Sequence, residues 1–267
     1  MTPSATAPNP PSDQTLTKPL DQTVTEEIAV KADESGIIWP PSDLYSDEPP
    51  LETTLHLRQM MLLLNCLDWL WKDREDYFAG GNLTIYYSPR QRKDEDFRGP
   101  DFFVVLNTQP HPRRSWMVWE EEGKYPNVIV ELLSDSTAEV DRTLKKTLYA
   151  ETFRTPEYFW FDPDSQEFQG FALVRGHYQP IEPSANGQMW SEQLQLHLGL
   201  YNQTLRFFDA EGALVATSAE DALVAEQVAL VAEQAALVAE QTLHAERQRS
   251  ERLADKLREL GIDPNDL

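Results

Sequence analysis

Residues 55–72 are apolar around most of a helical circumference, which predicts a largely buried helix. Glu52, Thr53 and Thr54 supply start residues just after the Pro49-Pro50 stop. Elsewhere the apolar positions alternate or run together with β-branched and aromatic residues. Such runs predict strands at residues 83–87, 101–106, 116–119, 127–133, 157–161 and 167–174. Gly80-Gly81-Asn82 reads as the turn into the first of them. Arg175-Gly176 reads as a hairpin turn into His177-Tyr178, and weaker strands fall at 193–198 and 204–208. Between the strands, Ser136-Thr137-Ala138-Glu139 has capping-box spacing and opens a helix to about residue 153, which Pro156 ends. The order helix, strands, helix, strands predicts an α/β (α+β) domain with a mixed sheet over residues 37–208.

Both ends depart from that pattern. Residues 1–36 are rich in Pro, Ser and Thr without period, and are expected to be a disordered arm. After a linker at 209–221, residues 222–242 repeat Ala-Leu-Val-Ala-Glu-Gln three times at seven-residue spacing. Leu223, Leu230 and Leu237 align, as do Ala222/Ala225, Ala229/Ala232 and Ala236/Ala239. Leu243 falls one residue short of the leucine register, so the leucine stripe shifts there. The heptads run with a charged helix to Gly261, and residues 262–267 form a tail. This predicts a coiled-coil helix that self-associates; the other reading is a single helix folded back on its own domain.

Composition adds limits. The 267 residues allow one sizeable core with appendages. No basic start followed by an apolar run appears, and residues 60–71 are too short to span a bilayer, so a cytoplasmic protein without membrane attachment is expected. One cysteine, Cys66, excludes an intrachain disulfide. The net charge of −22 is awkward for a nucleic-acid partner, which needs local positive potential. Arg90, Arg92, Lys93, Arg98, Arg113, Arg114, Lys145 and Lys146 gather near the central strands. They form either a basic rim or ordinary solvated loops.

Against this background two carboxylates and a lysine stand out. Asp101 follows Gly99-Pro100 where a loop enters a strand. Glu131 shares a strand face with Ile129 and Leu133, where an ionised carboxylate is costly unless paired or metal-bound. Asp141, Lys145 and Tyr149 follow at i, i+4 and i+8 on one face of the next helix. Lys145 there serves either a solvent-facing ion pair or the strand carboxylates.

Pro100-Asp101, Glu131-Leu-Leu-Ser134, Asp141, Lys145, Tyr149, Pro156-Glu-Tyr-Phe-Trp160 and Asp162-Pro163 together resemble the bacterial putative restriction endonuclease family of the PD-(D/E)XK nuclease superfamily. The resemblance spans about residues 45–208. It implies a restriction-endonuclease-like core, a DNA substrate, and Mg²⁺ (or Mn²⁺ in its place) held by Asp101 and Glu131. The superfamily pattern expects Lys two residues after the Glu, but position 133 is Leu. Similar proteins carry the lysine on the following helix, which transfers its role to Lys145. A further acidic residue on the first helix is usual, with Glu52 the candidate here, and His56 lies one turn on. A Mg²⁺-dependent endonuclease is therefore the leading expectation. Its alternative is a catalytically silent nuclease-fold protein acting as an oligomeric binding or scaffold module.

Overall fold

The computed structural model describes residues 44–46, 53–91, 96–134, 137–261 and 263. The chain divides into Met1–Trp39 and Pro40–Leu267, and every described residue lies in the second unit. The predicted N-terminal arm and Glu52 lie outside the described residues.

Helix α1 (Thr54–Leu70) starts where Thr53 Oγ1 accepts the His56 amide at 3.2 Å. Strands follow at β1 (Tyr77–Gly81), β2 (Ile85–Tyr86), β3 (Phe97–Arg98), β4 (Phe102–Leu106), β5 (Trp116–Met117) and β6 (Val128–Leu132). A continuous helical run over 138–153, called α2, comes next. Then come β7 (Glu157–Phe161), β8 (Phe168–Val174), β9 (His177–Pro180), β10 (Met189–Ser191), β11 (Leu196–Tyr201), β12 (Thr204–Phe208) and helix α3 (Ser218–Glu259).

Six strands form the central sheet in the order β1-β4-β6-β7-β8-β9. Among the described strands of this sheet only β6 and β7 pair in parallel, because α2 is the crossover between them. This pair is the most enclosed part of the sheet, with every residue of both strands buried. One face packs on Met60, Leu63, Cys66 and Leu67 of α1 and on the small sheet β10-β11-β12. Gln59 fastens α1 to β12, donating to Leu205 O at 2.8 Å and accepting its amide at 3.0 Å. The opposite face carries Phe103, Val105, Ile129, Leu133, Tyr158 and Trp160, and is covered by α2 and by Ile85 and Trp116 of the third sheet, β3-β2-β5. The mixed α/β architecture is the one the sequence pattern predicts.

Three expectations change. Gly80 and Gly81 do not turn; they end β1, and the chain reverses at Asn82, whose φ is +46°. The glycines are there for closeness, since a Cβ on Gly80 would lie 2.8 Å from the Phe103 ring. Of the strand predicted at 83–87, only Ile85–Tyr86 pairs, and it does so in the separate β3-β2-β5 sheet. The final helix begins at Ser218 inside the expected linker, fixed by a Thr217–Glu220 capping box. Its 42 residues include none that is buried. By length and composition alone, it is also apolar enough to cross a membrane.

Candidate active site

Antiparallel pairing of β4 with β6 sets Phe102 opposite Val130, so Asp101 stands across from Glu131. The two residues clasp each other's strands. The Asp101 amide donates to Glu131 Oε2 at 3.2 Å, and the Leu132 amide donates to Asp101 Oδ2 at 2.8 Å. Glu131 is fully buried, while Asp101 is partly exposed.

The third element is α2. An ideal α-helix would carry residue i+8 about 80° past residue i. Here π-helical turns at Asp141–Lys145 and Tyr149–Phe153 interrupt the α turns and widen the spiral, which brings Asp141, Lys145 and Tyr149 back into line. Lys145 Nζ lies 3.1 Å from Glu131 Oε1 and 2.8 Å from Asp141 Oδ1. Tyr149 donates its hydroxyl to Glu131 Oε1 at 2.7 Å. Tyr158 of β7 steadies the helix by donating to Asp141 O at 2.9 Å. Asp101, Glu131 and Lys145 thus come together, with Asp141 and Tyr149 completing the cluster.

Three carboxyl groups face one ammonium. Burial pushes Glu131 up to about 7, with the Lys145 charge opposing and the Asp101 charge adding to the rise. Asp101 is raised by burial against the pull of Lys145, and Asp141 by burial and then by Glu131. Burial acts to lower Lys145, but Glu131, Asp141 and Asp101 outweigh it and hold the amine above its ordinary value. Lys145 is therefore charged throughout the neutral range.

A hard divalent cation suits this donor set. Glu131 Oε1 already takes two donors, but Oε2 takes one and keeps a lone pair. Among the described residues the buried Asp141 Oδ2 accepts no hydrogen bond of normal geometry. They also hold no group of three or more His, Cys, Asp or Glu side chains arranged around one ion. Mg²⁺ commonly uses only one or two carboxylates and retains several waters, so the Asp101–Glu131 pair fits it.

A family model described as Putative restriction endonuclease (Uma2) matches residues 44–207, more than half of the chain. The chain belongs to that family. The match covers both sheet faces and all of α2, and stops one residue short of the end of β12. The Uma2 family assignment agrees with the restriction-endonuclease-like resemblance carried by the motifs. Among solved structures, a putative nuclease of the DUF820 group from Anabaena variabilis matches at 14% identity with a TM-score of 0.42. That match covers 57% of this chain and 80% of the other. No curated protein matches the chain.

Within this Uma2 chain the remaining candidates separate. His56 Nε2 lies 2.9 Å from Leu133 O and Nδ1 lies 3.1 Å from Thr53 Oγ1. The ring thus ties the start of α1 to the end of β6, one residue beyond the strand that carries Glu131. Leu133 is fully buried in the apolar layer under α2. A lysine there would enter that layer, whereas one on the overlying helix reaches the carboxylates from above. Lys146 sits instead over the Phe171 ring, 3.3 Å from its centroid.

Not all of the basic residues near the central strands face solvent, as either a rim or solvated loops would require. Arg113 is an internal fastener, paired with Glu121 and lying 4.7 Å from the Phe78 and Trp116 ring centroids. Arg92 and Lys93 lie outside the described residues. The role of Tyr158 had no sequence signal, because its contact depends on the β6–β7 crossover.

Proposed function

We propose that this protein is a divalent-metal-dependent nuclease that hydrolyses DNA phosphodiester bonds at the Asp101–Glu131–Lys145 cluster. The observation carrying this reading is the excess of carboxylate over ammonium around one strand pair in a chain of the restriction endonuclease family. Asp101 and Glu131 would hold Mg²⁺, or Mn²⁺ in its place. When bound, the ion polarises the scissile phosphate and makes a coordinated water more acidic. Lys145 keeps its proton and sets a positive charge beside the carboxylates, where it opposes charge developing on the phosphate. Tyr149 and Asp141 hold that geometry, Tyr149 by orienting the Glu131 carboxyl and Asp141 by anchoring the ammonium. The reading extends to action in the cytoplasm and to self-association through α3, whose seven-residue repeat is exposed throughout.

One observation favours a second reading, a catalytically silent nuclease fold. Glu131 is wholly enclosed, and both of its oxygens already accept donors from the chain. Supercoiled plasmid separates the two. With Mg²⁺ or Mn²⁺ the protein nicks it, and Asp101→Asn, Glu131→Gln and Lys145→Met each abolish nicking while remaining folded by circular dichroism. Equal background in all four proteins would leave the silent reading standing.

A further inference from the structure

Helix α3 is anchored at its first turn and exposed over residues 221–253. Arg206 grips Glu220 through two hydrogen bonds of 2.9 and 2.7 Å, and Trp69 Nε1 donates to Asp221 at 3.1 Å. Beyond that first turn, Leu243, Leu253 and Leu260 are each half or more exposed. Water contact over so much apolar helix is unfavourable without a partner.

The alanine columns identify the seam. Followed at seven-residue spacing, Ala222, Ala229 and Ala236 continue into Leu243, Ser250 and Leu257. Ala225, Ala232 and Ala239 continue into Glu246, Leu253 and Leu260. These two columns form one a/d seam, apolar in both halves of the helix except at Glu246 and Ser250. The seam is narrow at its start, where every residue is Ala, and wide at its end, where Leu dominates. Charge follows the same division. Residues 218–246 carry six acidic residues and no Lys or Arg, whereas 247–259 carry five basic and three acidic. The helix dipole favours acids only in the first turn and does not account for Glu226, Glu233 and Glu240.

We infer that α3 pairs with α3 of a second copy of this chain in antiparallel orientation. The inference rests on the self-association reading and adds its direction. In an antiparallel pair Ala222 faces the second copy's residue 260, Ala225 its 257, Ala229 its 253 and Ala239 its 243, so each Leu of the seam meets an Ala, while Leu223, Leu230 and Leu237 stay outside it. Each layer then has similar width and the axes stay parallel, as close packing of large against small requires. A parallel pair stacks Ala on Ala at one end and Leu on Leu at the other, and the helices splay. It also sets Glu246 against its own copy inside the seam, whereas the antiparallel pair sets it against Ala236. Flanking the seam, Glu233 comes beside Arg247 of the other copy, and the acidic half of each helix lies along the basic end of its mate.

The arrangement has a consequence for the nuclease reading. A helix of 42 residues is about 63 Å long, and each is fixed to its own domain at the N-terminal end. Antiparallel pairing therefore holds the two domains at opposite ends of the coil. The two sites then engage separate stretches of a substrate and do not close on a single base-pair step.

Cysteine crosslinking of the full chain tests this directly. Ala225→Cys and Leu257→Cys proteins are prepared separately, with Cys66 left in place because it is buried. Sedimentation first gives the mass of the native protein. The expected result is a dimer, a disulfide-linked dimer when the two variants are mixed and oxidised, and none from either variant alone. A crosslink from Ala225→Cys alone would overturn the antiparallel direction while leaving self-association intact. A monomeric mass, or a monomer that floats with phosphatidylcholine–phosphatidylglycerol vesicles, would overturn the pairing itself. Plasmid nicking by that monomer would show that the nuclease reading stands apart from it.

Discussion

Glu131→Gln is the perturbation whose effect the structure fixes most closely. The wild-type carboxyl is fully buried and is raised from 4.5 to about 7, with burial as the leading cause. Between those values the folded protein binds more protons than the unfolded chain at this position. Stability contributed by the group is thus fully present below pH 4.5 and is lost as pH rises through 7. Asp101 and Asp141 are shifted in the same direction and act with the same sign. Lys145, raised above its ordinary value, contributes in the alkaline range and leaves this window unaffected. At about 1.4 kcal/mol per unit, Glu131 alone accounts for about 3 kcal/mol. Urea unfolding in EDTA at pH 5 and pH 8 measures it. At pH 5 the folded wild-type carboxyl is protonated and Glu131→Gln replaces it with a neutral group of the same shape, so the two proteins differ little; between pH 5 and pH 8 the wild type loses about 2.5 kcal/mol relative to the variant. A difference between the two proteins that stays constant with pH would refute the claim that this carboxyl is held near neutrality.

Three further substitutions test other parts of the structure. Tyr149→Phe removes a 2.7 Å donor from the enclosed Glu131 oxygen and should cost about 1–3 kcal/mol in urea unfolding, with the helical circular dichroism signal unchanged. Gly170→Ala places a Cβ 2.6 Å from the Phe159 ring in the middle of the sheet, and should cost about 1–3 kcal/mol, visible as a lower unfolding midpoint. Thr217→Ala removes the side chain that caps the Glu220 amide at 3.2 Å, and should cost about 1 kcal/mol, read by amide exchange over the first turn of α3. No change in any of these readouts would contradict the contact concerned.

Much of the site could be read from the sequence because strand periodicity and helix spacing are local. Alternation alone places Glu131 on the face of Ile129 and Leu133, and that face is the one α2 covers. The i, i+4, i+8 spacing of Asp141, Lys145 and Tyr149 identifies the right helix face, although π-helical turns keep them aligned where a uniform α-helix would drift. What escaped the sequence depends on packing between distant segments. Arg113 reads as surface charge until Phe78, Trp116 and Glu121 close around it. Gly80 and Gly81 read as a turn until β4 places the Phe103 ring against Gly80 and α1 places Met60 against Gly81. β10 is too short for a periodic signal and exists because β11 pairs with it.

We propose that the carboxyls of Asp101, just before β4, and Glu131, on β6, are matched by a divalent cation. Titrating the protein with Mn²⁺ at pH 8 and following free ion by electron paramagnetic resonance tests it without any substrate. The account predicts saturable binding to the native chain that weakens at least about tenfold in both Asp101→Asn and Glu131→Gln. Binding of equal strength in all three proteins, or none to the native chain, would contradict it.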